Sequence, residues 1–170
     1  MTESLAATLT LRPAEPADRP VCERLWQLFR HDLSGLTGTL PFPDGTFRTE
    51  RIEAAFTDPD WTAYLFGSGE HPVGFGIVRG LGAPTRVLNS FFVVHGARRT
   101  GLGLRAAVEL MHRYPGPWEV AFQAANPPAV AFWRRVAAEV AGEDWTEQAR
   151  DVPGRPDLPP DLWITLDAAA

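Results

Sequence analysis

The sequence predicts an α/β fold, a mixed sheet flanked by helices, and three observations predict it. Segments of strand and helix periodicity follow one another in the order β α α β β β α β α β β. Strand–helix–strand units in the second half imply locally parallel pairing, because a helical crossover returns the chain in its original direction. Two strand-like runs joined by the turn GSGEHP imply antiparallel pairing in the middle. At 170 residues, 45% hydrophobic and 22% charged, the chain is sized for one domain over residues 1–170.

Residues 8–12 (TLTLR) alternate apolar and polar and read as the first strand. Asp18 reads as a helix cap with Pro20 in the first turn, and Val21, Leu25, Leu28 and Phe29 follow at helical spacing. This helix is expected to end near Arg30, leaving His31 to Gly45 as loop. A second helix is expected over Phe47 to Phe56, broken by Asp58-Pro59-Asp60. Trp61 to Phe66 and Val73 to Arg79 read as a hairpin, although glycines at 74 and 76 weaken the second run. Val87 to Val94 is a long apolar run suited to a buried central strand. Leu104, Ala107, Val108 and Met111 mark the third helix, which Pro115-Gly116-Pro117 stops. Trp118 to Phe122 is a strand, and Asn126 caps a fourth helix with Pro127 at its first position. Trp145 to Ala149 and Leu162 to Leu166 are the last strands, and Asp167 to Ala170 reads as a loose tail.

Composition removes several function classes. The net charge of −5 and pI near 5.3 disfavour a nucleic-acid partner. All 16 basic residues are arginine, so no Schiff-base, phosphate-loop or general-base lysine exists. Cys22 stands alone and cannot form an internal disulfide, and the four histidines lack metal-ligand spacing, so no metal is expected. No apolar run approaches a membrane span, and the start (MTESLAATLT) lacks a leader pattern. A cytoplasmic protein is expected, with no membrane partner.

The chemistry concentrates in FFVVHGARRTGLGLRAAVEL, residues 91–110. An apolar strand runs into a short loop, and the loop opens a helix at Gly101-Leu102-Gly103. The first-turn amides of a helix lack intrahelical acceptors, and its dipole adds partial positive charge, so this is an anion site. Arg98 and Arg99 add permanent cations beside it. Gly-x-Gly alone would equally describe an ordinary strand–turn–helix. A dinucleotide-binding loop is disfavoured because the segment follows several strands rather than opening a parallel series.

The spacing Arg98-x-x-Gly101-x-Gly103 after an apolar strand resembles the acetyl-CoA loop of the GNAT superfamily of N-acetyltransferases. The likeness continues in WEVAFQAANPPAVAFWRRV, residues 118–136, whose Asn126, Ala129, Phe132 and Trp133 match the family's later strand, asparagine and helix. It is close over residues 87–136, and the element order extends it over roughly residues 8–167. The chain looks most like a little-described bacterial branch of such acetyltransferases. The resemblance implies a mixed, mostly antiparallel sheet of about seven strands flanked by about four helices, and acyl transfer from acetyl-CoA to a primary amine. It implies that Phe91, Phe92 and Val93 pair with the pantetheine arm and that Arg98, Arg99, Thr100, Gly101, Leu102 and Gly103 hold the pyrophosphate. Asn126 and Phe132 would also contact the coenzyme, and Asn126 serves equally as a plain helix cap. A homodimer is compatible with this reading.

The catalytic groups depart from the family pattern. Many members carry a tyrosine acid seven residues after that asparagine, where this chain has Trp133. Indole N–H donates a hydrogen bond but is no usable acid, and packing is the better reading of Trp133. Many members also place a carboxylate on the central strand, where this chain has Asn89 and Ser90, which can position a water but are not strong bases. His31 and Asp32, expected in a loop over the acceptor side, are the remaining candidates, against a reading as a solvated histidine and a turn-forming aspartate. These substitutions leave an acyl-CoA-binding sensor without transfer activity as the alternative.

Overall fold

A computed structural model describes residues 8–170. The leader reading rests largely on residues outside them. The elements are β1 (Leu9–Pro13), α1 (Arg19–Thr37), α2 (Glu50–Thr57), β2 (Trp61–Ser68), β3 (His71–Arg79), β4 (Arg86–Val93), α3 (Leu102–His112), β5 (Gly116–Gln123), α4 (Pro127–Ala141), β6 (Trp145–Arg150) and β7 (Asp161–Ala168). The strands form one sheet in the order β1-β2-β3-β4-β5-β7-β6. Among the described residues, only the β4–β5 pair is parallel. The element order, the mixed sheet and its antiparallel majority follow the sequence expectation.

Alternating side chains send two cores to opposite faces of the sheet. One face packs Phe66, Leu88, Trp118 and Ile164 against Leu102 and Leu110 of α3 and Val136 of α4. The other packs Leu65, Phe75, Ile77 and Phe92 against Leu25 and Trp26 of α1 and Ile52 of α2. Each of these buried indoles is satisfied, Trp26 Nε1 donating to Arg48 O at 2.7 Å and Trp118 Nε1 to Tyr114 O at 2.9 Å. Cys22 is fully buried in the second core, and burial pushes its thiol up to about 11, which keeps it unreactive.

Three boundaries differ from the sequence reading. First, α1 does not stop at Arg30 but runs to Thr37, where Gly38 takes the left-handed conformation that ends it. Leu33 and Leu36 extend the apolar stripe from Phe29, and the polar pair His31-Asp32 lies on the helix rather than in a loop. Second, Phe47 is buried but precedes α2. Gln27 of α1 holds it, its Oε1 accepting from Phe47 N at 2.7 Å and its Nε2 donating to Phe47 O at 3.1 Å. Third, the tail is strand: Asp167 pairs with Pro117 and Ala168 with Gly116, and Ala168 is buried. The glycine at 74 that weakened the β3 reading is sterically required there. A Cβ at Gly74 would run into the Phe92 carbonyl of the neighbouring strand.

Candidate active-site cleft

The parallel pair is short. Arg86, Val87 and Leu88 of β4 match Trp118, Glu119 and Val120 of β5, and the pairing then stops. Beyond it, β4 stays with β3 while β5 continues with β7, so the sheet splits between them. The split begins at a bulge, because Ser90 faces Ile77 and Leu88 faces Val78, leaving Asn89 unmatched.

The register decides which backbone groups face the opening. Val94 N–H bonds Val73 O at 2.8 Å, which makes this opposite pair hydrogen-bonded. Alternation along an antiparallel ladder then gives Phe92 and Ser90 bonded partners on β3. The N–H and C=O groups of Phe91 and Val93 turn the other way, into the split. A cleft of about 990 Å³ occupies it. Its walls are β4, the loop before α3, the start of α4, and Phe29, Leu33 and Leu36 of α1.

The loop between β4 and α3 is a cradle of amides. His95–Ala97 makes one 3-10 turn, Arg99 stands at φ 60 and Gly101, capping α3, at φ 83. Successive left-handed and helical conformations turn backbone N–H groups to one side, the arrangement that binds anions. Thr100 Oγ1 donates to Ala97 O at 2.8 Å and fixes the turn. Leu102 is fully buried and anchors the helix start in the core, so it shapes the loop from behind. A Cβ at Gly103 would meet nothing closer than Val93 Cγ2 at 3.5 Å, so packing alone does not demand glycine there. Gly103 faces the cleft, and its missing side chain leaves room for a ligand.

The two arginines of the loop have different roles. Arg98 Nε donates to the Val93 carbonyl at 2.7 Å, its guanidinium pairs with Asp32 of α1, and it stacks over Phe92 at 5.6 Å. It is a brace between the loop, β4 and α1. Arg99 and Arg135 also line the cleft, and neither is ion-paired among the described residues. Across the opening, Asn126 Oδ1 accepts from Ala129 N at 3.4 Å, a long cap contact, while the residue also lines the cleft. Phe91, Phe132 and Trp133 form an aromatic cluster with ring centroids 4.8–5.6 Å apart. Trp133 is 7% exposed and serves both core and cleft wall.

The acid and base candidates fare unevenly. Asn89 and Ser90 do not line the cleft; Ser90 is buried and its Oγ lies 3.2 Å from Asn89 Oδ1. His31 is exposed on α1 and also outside the lining. Asp32 lines it but is engaged by Arg98 and, at 3.3 Å, by His95 Nε2. Partial burial pushes the Asp32 carboxyl up, but the Arg98 hydrogen bond and charge, with His95, outweigh this and hold it below the ordinary value. A carboxylate so held is a weak base. The chain's two tyrosines, Tyr64 and Tyr114, bond one another at 2.8 Å and do not line the cleft. Among the described residues no three His, Cys, Asp or Glu side chains gather as a metal site. No described helix is long and apolar enough to cross a membrane.

The sequence reading missed the α1 wall and the Asp32–Arg98 brace. The spacing of Phe29, Leu33 and Leu36 carried the first signal. The brace joins residues 66 apart and leaves no local signal.

No protein-family model matches the chain, and no curated protein does. Solved structures match over nearly their whole length. An acetyltransferase from Thermus thermophilus is 22% identical with TM-score 0.67, covering 95% of this chain and 98% of that one. A GNAT family acetyltransferase from Elizabethkingia anophelis, solved with acetyl-CoA bound, is 11% identical with TM-score 0.66, covering 94% and 98%. Spermidine N-acetyltransferase from Vibrio cholerae, in complex with CoA and spermine, is 12% identical with TM-score 0.63, covering 95% and 96%. The fold is therefore the one these acetyltransferases share.

Proposed function

We propose that this chain is an acyl-CoA-dependent N-acyltransferase, one domain over residues 1–170, that moves an acetyl group from acetyl-CoA to a primary amine. The observation that carries the reading is the split sheet with an amide cradle at its end. A thioester arm between β4 and β5 meets the Phe91 backbone groups and the Val93 N–H, the Val93 carbonyl being held by Arg98, and its diphosphate meets the amides of residues 99–103 and the Arg99 charge. Asn126 and Phe132 flank the arm from α4, and Thr100 and Leu102 shape the loop.

The reaction needs little from side chains. The neutral amine attacks the thioester carbonyl, the C–S bond breaks, and the amide and CoA thiolate form with no covalent enzyme intermediate. A β4 amide facing the split stabilises the developing oxyanion. Placing both reactants in one cleft supplies most of the acceleration. The proton lost by the amine passes to water and the thiolate takes one back, which suits a cleft whose described lining has no tyrosine and no free carboxylate.

That same lack of acid and base favours a second reading, an acyl-CoA sensor without transfer. Two measurements separate them. Calorimetry with acetyl-CoA tests the binding both readings require, and CoA release over an amine panel tests transfer. Saturable binding without release of CoA supports the sensor, and no binding at millimolar acetyl-CoA overturns both.

A further inference from the structure

The cleft has a wall that the coenzyme cradle does not use. Phe29, Leu33 and Leu36 stand on successive turns of α1 and line the opening beside Phe92. Leu36 is 45% exposed and stands at the mouth of the cleft. The charge inventory of the cleft is equally one-sided. Asp32 is the only carboxylate among its described lining residues, and Arg98 already pairs with it, whereas Arg99 and Arg135 bring two further cations. A polyamine or lysine-rich acceptor needs carboxylates to replace the hydration of each ammonium, and none is free in that lining. An apolar body gains by burial on the α1 wall.

We infer that the acceptor is a primary monoamine with an apolar aryl or branched-alkyl body, seated on Phe29, Leu33 and Leu36, and that these side chains set acceptor specificity. The inference rests on the transferase reading. The amine nitrogen forms the new C–N bond, the thioester C–S bond breaks, and the displaced proton ends on the CoA sulfur through water.

The test uses the full chain, acetyl-CoA and matched amines. 2-Phenylethylamine and isoamylamine are compared with spermidine and a lysine peptide by CoA release, and by calorimetric binding to the CoA-loaded protein. The apolar amines are expected to exceed spermidine in kcat/KM, or in affinity, by about tenfold or more. Leu36→Glu, at an exposed position, is expected to remove about tenfold of that preference while acetyl-CoA affinity stays within about twofold. Leu33→Ala gives a second, uncharged variant expected to raise KM for the apolar amines with kcat little changed. Equal or better use of spermidine overturns the inference and leaves the transferase reading standing. So does a loss of octanoyl-CoA affinity in Leu36→Glu with amine preference unchanged, which would assign the wall to a long acyl chain. Failure to bind acetyl-CoA overturns both.

Discussion

The two sides of the cleft are built by opposite means. The cradle side is a single stretch of chain from Phe91 to Gly103, and its working parts are backbone groups set by register, a bulge and positive φ angles. The α1 side is an array of side chains, positioned by a helix more than 50 residues away in sequence and braced to the cradle through Asp32 and Arg98. Backbone recognition serves a ligand that never changes, whereas side chains can be altered singly. On the proposed function, the contrast teaches that coenzyme binding resists most side-chain substitutions, whereas few suffice to change acceptor choice.

Gly103→Glu should break the cradle most severely. Its carboxylate would occupy the room beside Phe132 and repel the diphosphate, so coenzyme affinity should fall by about a hundredfold or more. Melting temperature should shift by only a few degrees, about what ~1 kcal/mol produces, because no tight contact is made at Cβ. Calorimetry and thermal melts of the variant check both; a collapsed melt with normal affinity would overturn the assignment.

Asp32→Ala asks on which side of the comparison the brace acts. Freed from Asp32, Arg98 loses its hold on the Val93 carbonyl, and acetyl-CoA affinity should fall by about tenfold, the scale of one charge-assisted hydrogen bond. Acceptor KM should stay within about twofold. Steady-state kinetics with both substrates varied would reverse the assignment if acceptor KM moved and coenzyme affinity did not.

Trp133→Tyr sharpens the chemistry rather than the binding. It places a phenol in the cleft at the edge of Phe91 and Phe132. Turnover should rise by up to about tenfold at neutral pH, with a new fall above about pH 10 as the phenol ionises. A lower melting temperature with an unchanged rate profile would leave Trp133 a packing residue alone.

The smallest effect concerns acid. Asp32 titrates below its ordinary value in the folded chain, so its pair with Arg98 stabilises the fold above about pH 4 and is lost as pH falls through the lowered value. Both partners are partly exposed, and the contribution should be below about 1 kcal/mol. Urea melts at neutral and acid pH should show less acid destabilisation in Asp32→Asn than in the unaltered chain.

The same division explains what could be read from sequence. The element order and the cradle are local, carried by periodicity, Gly-x-Gly and the Asn126-Pro127 cap, and they emerged at or near their observed places. The α1 wall was hidden because His31 and Asp32 look like the end of a helix unless Leu33 and Leu36 are counted with the stripe before them. The brace and the buried tail were hidden because each depends on a partner distant in sequence, Arg98 for Asp32 and Gly116 for Ala168. Asn89 and Ser90 are on the central strand as read, yet a bulge at Asn89, which no single-strand pattern reveals, sets which groups face the split.

The shortness of the parallel pairing has a mechanical consequence. Among the described residues, three residue pairs, from Arg86–Trp118 to Leu88–Val120, carry the strand pairing between the two parts of the sheet. The rest of that seam is a zipper left undone, with the amides of Phe91 and Val93 as its open teeth. A ligand that closes it acts on the sheet as a keystone, coupling the halves that carry α1 and α4. Amide hydrogen exchange should record this as protection that spreads from Phe91 and Val93 to β5, on strands the ligand touches and on neighbours it does not.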